Sequence, residues 1–448
     1  MVSHPSQLRL TGGDYFIHAL DQQMRRAGQP GNTCRIVLRL EREPDTVRLR
    51  QCLAASPIFN WLGSARLVRS LPVLAPRWRI EGRPAVIFQE HSSNGASRNG
   101  AAGLHEAVLA RMCRSDHSPA MAWDLVCHAD GTADLALSWN HALLDVHGAE
   151  LLLRHLHDEG SAEKADQAPD LHNPEQADKR LSQLWRGHGR RLMLARRSLE
   201  LINTVCREPL FSLLPEGRRR AACCNYYRVV AFTEAETARI EERCQRLNAG
   251  SRRSLFHLAA TVQAVHALAV RRGNTTSAYL VPVPHNMRPH GAAGPVLSNQ
   301  LSFLFYRIEA THAGSMSKTI TELTRQLTEQ VRDGQAESFL AAMEMFKIMP
   351  TGLYAHRLGR PTGGKFAAFF FSDSGETCAG INDMFGTKIT AATHLAPAAR
   401  PPGLTVVFSR FRGRLNAMLA WVDDCVSTEE AAGLARALRS ALLGEAKR

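Results

Sequence analysis

His141 and Asp145 lie four residues apart in the stretch Asp134 to Gly160, DLALSWNHALLDVHGAELLLRHLHDEG. A neutral imidazole, with a pKa near ~6.5, can take a proton from a hydroxyl or amine as that group attacks a carbonyl. A carboxylate nearby can orient such an imidazole or brace the turn that carries it. His141, Asp145 and His147 also form a donor set that binds zinc, and a bare polar turn would need no chemistry at all. The surrounding pattern favours the base without a metal. Hydrogen-bond donors for an oxyanion are available elsewhere in Asn299, Ser372 and Ser374.

The elements that must position His141 are readable. Leu135, Leu137 and Trp139 alternate with Ala136, Ser138 and Asn140, which predicts a half-buried strand. After Gly148 the residues Leu151, Leu152 and Leu156 recur at helical spacing, with Glu150, Arg154 and Asp158 opposite. His141 therefore sits at a strand end, in a polar turn before an amphipathic helix, where a scaffold presents side chains to a substrate.

The chain around this turn reads as mixed α/β. In the first half, Asp14 opens a helix, Cys34 to Glu41 is a strand, and Asp45 to Ser56 a helix. LHEAVLARMC reads as a further helix, and a hairpin turns at Asp130-Gly131. Ser161 to Pro174 is polar and broken by proline, a linker. The pattern restarts at YYRVVAF, followed by a helix whose Thr233 and Glu236 form a capping box. Ser254 to Gly273 is an apolar helix, and strands follow in SAYLVPVPHNMRP and LSNQLSFLFYRIE. A helix from Ser317 to Arg332 leads to strands KFAAFFFSDSG, LTVVFSRFRG and RLNAMLAWVDD and a closing helix, Thr428 to Leu443. Two comparable lobes result: residues 1–160 with the His141 turn, and 225–448, joined by 161–224.

At 448 residues two or three domain-sized units are expected, and 44% apolar with 22% charged residues is ordinary for a globular protein. No apolar run approaches ~18 residues, and MVSHPSQLRLTGGDYF has no basic region leading into an apolar stretch, so a cytoplasmic location is expected. Ten cysteines without a CxxC point to free thiols in a reducing compartment rather than a zinc site.

A net charge of +13 suits an anionic membrane, a phosphorylated cosubstrate or an acidic carrier protein, although arginine-rich codon usage would produce it without any partner. Lys179 to Arg220 holds eleven basic residues against Glu200, Glu208 and Glu216, interleaved with leucines, a pattern that can lie on a membrane surface at the inner face. The plainer reading is a helix between lobes with solvated arginines. Nucleic-acid binding has only the charge behind it, with no recognition motif. GRPTGGKF, Gly359 to Phe366, approaches a phosphate-binding loop, but Phe366 replaces the hydroxyl that would hold magnesium, and it reads as a loop.

HALLD followed by Gly148 resembles the HHxxxDG motif of the coenzyme A-dependent acyltransferase superfamily, which includes chloramphenicol acetyltransferase, condensation domains and wax ester synthase/diacylglycerol acyltransferases. GGDYF resembles the opening segment of the wax ester synthase branch, APRWRI its Pro-x-Trp strand, and Val281 to Pro289 its Pro-Val-x-x-x-Arg segment, with Ser298-Asn299 following. The closing FSRFRGRLNAMLAWVDDCVSTEEAAGLARAL resembles the last strands and helix. The sequence departs from the motif at Asn140, in place of its first histidine, and at Val146, in place of its glycine. The resemblance implies two chloramphenicol acetyltransferase-like lobes, each a mixed sheet with flanking helices, with an active-site channel between them. It further implies His141 as the base, Asp145 as a structural brace paired bidentately with Arg288, and an acyl-coenzyme A or acyl-carrier thioester as cosubstrate, with no tightly bound cofactor. The acceptor would be a lipid-like alcohol or amine. A binding module that kept the fold and lost efficient chemistry is the alternative, and Asn140 and Val146 are its support.

Overall fold

The computed structural model describes residues 7–69, 76–80, 87–93, 98–99, 104–116, 119–160, 188–215, 223–288 and 294–445. The expected linker, Ser161 to Pro174, lies outside the described residues, and of the basic stretch only 188–215 is described.

Strand Ala133–Asn140 is central in a six-stranded sheet ordered Asp383–Met384, Thr387–Leu395, Thr33–Leu40, Ala133–Asn140, Met121–His128, Ile87–Ser93. Its pairings are antiparallel except the last, so the sheet is mixed. The alternation predicted one wet face, yet all eight residues of Ala133–Asn140 are buried. Leu135, Leu137 and Trp139 pack in one core with Leu152 and Leu156 of helix Val146–Gly160, while Val37, Val126 and Ala136 join the core of the second lobe. The small residues Ala136 and Ser138 thus mark a face pressed on protein rather than on water.

The second lobe is built on a four-stranded sheet, Asn225–Ala231, Arg414–Val422, Leu404–Phe411, Phe370–Glu376, again with one parallel pair at its edge. Helices Arg253–Arg271 and Thr428–Leu443 share its core. A separate ribbon pairs Tyr279–Asn286 with Leu301–Ile308. Chain order and sheet membership then part company: the hairpin Asp383–Met384/Thr387–Leu395 comes from within 225–448, yet it completes the first lobe's sheet against Thr33–Leu40.

The expected cap is present, Thr233 and Glu236 exchanging the two bonds of a capping box, and the structure adds a second one between Thr11 and Asp14 at helix Gly12–Arg26. The helix expected over LHEAVLARMC is only Glu106–Ala110. The buried Arg35 guanidinium draws on the carbonyls of Val108, Leu109 and Arg111 at 2.8, 2.9 and 2.6 Å, which a longer helix would need for itself. Two helices without a reading from sequence, Gln335–Phe346 and Thr351–Gly359, follow Met316–Arg332. GRPTGGKF, read as a loop, is one only in its second half: Gly359 ends the helix Thr351–Gly359 and Arg360–Thr362 is a 3-10 turn, after which Gly363 and Gly364 take φ 58° and 86°. All ten cysteines are free thiols, and among the described residues no helix is long and apolar enough to cross a membrane.

Candidate active site

The turn holding His141 is tied down on every side. The His141 N–H donates to the Asn32 carbonyl at 3.0 Å, the Leu143 N–H to the Asn140 carbonyl at 2.9 Å, and the Trp139 indole to the Leu144 carbonyl at 2.9 Å. The Asn140 side chain is fully buried beneath it: Nδ2 donates to the Cys113 carbonyl at 3.0 Å, and Oδ1 accepts from the Ala142 N–H at 3.1 Å. Asn140 therefore shapes the turn and is not among the residues that line the cavity described below.

Asp145 points away from the His141 ring. Its Oδ1 accepts from the Gly148 N–H at 2.9 Å and from Arg288 Nη2 at 2.8 Å, and its Oδ2 from the Gln300 N–H at 3.0 Å. The pair with Arg288 is not bidentate, because Gln300 occupies the second oxygen and Arg288 Nη1 turns to the Pro295 carbonyl. Both side chains are buried, so the charge is neutralised inside the protein, where an unpaired carboxylate would be costly. Both Asp145 oxygens are thus taken by Gly148, Arg288 and Gln300, and no hydrogen bond joins Asp145 to His141 Nδ1.

Three successive N–H groups from the ribbon's approach segment grip this turn. Ser298 donates to the Leu143 carbonyl at 2.9 Å, Asn299 to Asp14 Oδ1 at 2.6 Å, and Gln300 to Asp145. The Asn299 amide Nδ2 then spans Asp14 Oδ1 at 3.0 Å and the His141 carbonyl at 2.9 Å. With both amide hydrogens so used, Asn299 has none left for an oxyanion, and that expectation is withdrawn.

His141 lines a cavity of about 910 Å³ together with Asp145, Val146, Ser372 and Ser374. Burial holds its pKa below the ordinary histidine value, against the opposing pull of the His141 and Leu144 carbonyls and the Asp145 charge. The ring is thus neutral at neutral pH, the form that can accept a proton. Ser374 donates its hydroxyl to the Phe408 carbonyl at 3.1 Å, which leaves Ser372 as the better placed donor of the two. Cys34 also lines the cavity, but burial pushes its thiol up to about 12, far from a thiolate nucleophile. The remaining wall is largely apolar, with Phe16 against Phe303 and Phe305 against Phe339, each at 4.9 Å between ring centroids.

His147 is exposed and meets Asn286 at 3.2 Å, and among the described residues the one acidic and thiol group with metal-like spacing is Cys223, Asp423 and Asp424. There Arg400 already neutralises Asp424 and donates to the Cys223 sulfur.

Sequence reasoning missed Asp14, Asn32 and the phenylalanine wall. GGDYF had carried the first as an unassigned motif, and nothing local connects it to Asn299, 285 residues away.

No protein-family model matches the chain, and no curated protein sequence matches it. Solved structures do. The trichothecene 15-O-acetyltransferase of Fusarium sporotrichioides superposes with TM-score 0.71 at 11% identity, covering 99% of this chain and 96% of that one. The first condensation domain of the calcium-dependent antibiotic synthetase, in complex with a substrate analogue, gives 0.71 at 14% identity over 98% and 97%. A mutant starter condensation domain of rhizomide synthetase, in complex with C8-CoA and Leu-SNAC, gives 0.66 at 14% identity over 98% and 94%. The chain therefore has the two-lobed, mixed α/β, chloramphenicol acetyltransferase-like fold that condensation domains share.

Proposed function

We propose that this chain is an acyltransferase, moving an acyl group from a coenzyme A or acyl-carrier thioester to a hydroxyl or amine of a lipid-like acceptor, with His141 as general base. The observation that carries this reading is the His141 imidazole lining a large, mostly apolar cavity, on a turn clamped by Asp145 and Arg288. The fold supports it, since an O-acetyltransferase and condensation domains are built alike.

In the proposed step the acceptor O–H or N–H gives its proton to His141 as its lone pair attacks the thioester carbonyl. The oxyanion so formed takes a hydrogen bond from Ser372. Collapse breaks the C–S bond, and the imidazolium returns its proton to the departing thiolate, so the base is regenerated and nothing is consumed beyond the two substrates. The phenylalanine wall would hold an acyl chain or apolar acceptor by burial. The positive charge suits a phosphate-bearing or acidic donor. On helix His188–Val205, exposed Leu192, Met193 and Leu199 beside arginines would permit cytoplasmic peripheral contact with anionic lipid.

The test supplies acyl-coenzyme A and acyl-carrier donors with a panel of alcohols and amines and follows thiol release. Turnover is expected, and His141→Ala should reduce it by ~10²–10⁴-fold. No turnover with any donor would leave the second reading, a non-catalytic binding module, which the replacements Asn140 and Val146 favour, whereas turnover indifferent to His141 would remove His141 as the base. Co-sedimentation with anionic liposomes at low salt, reversed by high salt, checks the membrane contact.

A further inference from the structure

Asp14 is a fully buried acid that the proposed chemistry does not use. It stands at the third position of helix Gly12–Arg26, where its Oδ2 accepts from the Thr11 N–H at 2.9 Å. Its Oδ1 takes both the backbone N–H and the side-chain Nδ2 of Asn299, at 2.6 and 3.0 Å. That same Nδ2 donates to the carbonyl of His141 at 2.9 Å. Carboxylate, amide and carbonyl thus form an unbroken chain from the first helix to the residue read as the base.

The neighbouring residues keep that chain in register. A Cβ on Gly13 would come within 3.0 Å of the Asn299 carbonyl, and one on Gly12 within 2.6 Å of the Met343–Glu344 backbone, so the glycine pair lets the helix end enter this junction. Glu344, itself paired with Lys347, receives the Gly12 N–H. Tyr15 reaches the Met349 carbonyl and Arg69. Farther along the helix are His18 and Asp21, the latter paired with Arg25, and from the turn side come His141, Asp145 and Arg288. Among the described residues no cation pairs with Asp14; its partners are neutral donors.

We propose that Asp14 is a positioning residue for His141, holding the turn in place through the Asn299 amide, and that this hold is released when the carboxylate is protonated. Three N–H donors converge on its two oxygens. Adding a proton converts one acceptor site into a donor, and the Asn299 amide is the member free to rotate away. Burial pushes the Asp14 pKa up to about 6, so the change falls in an accessible range. The kinetic consequence rests on His141 being the base; the structural link does not.

The primary experiment follows the His141 ring resonances by NMR from acid to neutral pH. In the wild type they should show an inflection near pH 6 that does not charge the ring, separate from the ring's own titration. It should disappear in Asp14→Asn. In the acyl-transfer assay Asp14→Asn should lower kcat by up to ~100-fold, the scale of a small misplacement. Its acid limb should also lose the Asp14 contribution and follow His141 alone. Asn299→Ala should match that loss, and the double variant should add nothing to it. Identical His141 titrations in wild type and Asp14→Asn, or losses that multiply, would overturn the proposal. If Asp14→Asn does not fold, a wild-type ring with a single inflection overturns it equally. A protein without acyl transfer would sink the functional reading while leaving the NMR result decisive.

Discussion

Two carboxylates grip the same three-residue segment from opposite sides, and they are buried on different terms. Asp145 faces Gln300 and is matched by the Arg288 guanidinium; Asp14 faces Asn299 and is matched only by amides. Each has a glycine close by where the backbones crowd: a Cβ on Gly148 would lie 2.4 Å from the Val296 carbonyl, and one on Gly13 3.0 Å from that of Asn299. A buried carboxylate paired with a guanidinium serves as a brace. One held by neutral donors keeps a large desolvation cost, and its protonation becomes a variable of the fold.

The comparison breaks most visibly on the paired side. Arg288→Met leaves Asp145 buried without its cation, a loss expected at about 3–5 kcal/mol by urea unfolding. Adding Asp145→Asn should recover much of it, because the uncompensated charge then disappears. If the single variant unfolds at the same urea concentration as wild type, the pair is no brace. Next comes crowding. Gly148→Ala meets a backbone carbonyl that cannot step aside and should cost about 1–3 kcal/mol. Gly13→Ala, with its looser approach, should cost less. A larger melting-temperature drop for Gly13→Ala would reverse the ranking of the two junctions.

Much of this was legible in the chain. Strand alternation and helical spacing are local signals and placed the His141 turn between a strand and a helix, and the resemblance pointed to the Asp145–Arg288 pair that the structure contains. Mixed α/β in two lobes followed from the local pattern, and a mixed sheet in each lobe from the resemblance. What escaped reading was long-range. Asn140 looks like a solvent residue until Cys113 and Ala142 are brought to its side chain, and Asn299 looks like a free donor until Asp14 and the His141 carbonyl claim its hydrogens. The hairpin 383–395 reads as part of the second half because nothing in its own sequence names Thr33–Leu40 as its neighbour. The short helix Glu106–Ala110 fails for a related reason: a guanidinium 70 residues and more upstream competes for its carbonyls.

The finest distinction between the two carboxylates lies in how stability responds to pH. Asp14 has a folded pKa of about 6 against an ordinary 3.8, so between those values the folded state binds more protons than the unfolded one. Stability from this group is therefore greatest in acid and falls as pH rises through that window, by about 3 kcal/mol. His141 and His18 act in the opposite sense. Burial lowers both, His18 to about 4, so the unfolded chain takes up their protons first and stability is lost as pH falls below the ordinary histidine value. The wild-type curve alone mixes these trends. The difference between wild type and Asp14→Asn isolates the carboxylate, and it should decline from pH 4 to pH 7 by that amount in urea titrations. A difference that stays level across the window would mean that Asp14 is not buried as a charge, and its contrast with Asp145 would vanish. If the decline is found, Asp14 contributes most to stability where the proposed base is least firmly held, because the ionised carboxylate that steadies His141 is also the costly one.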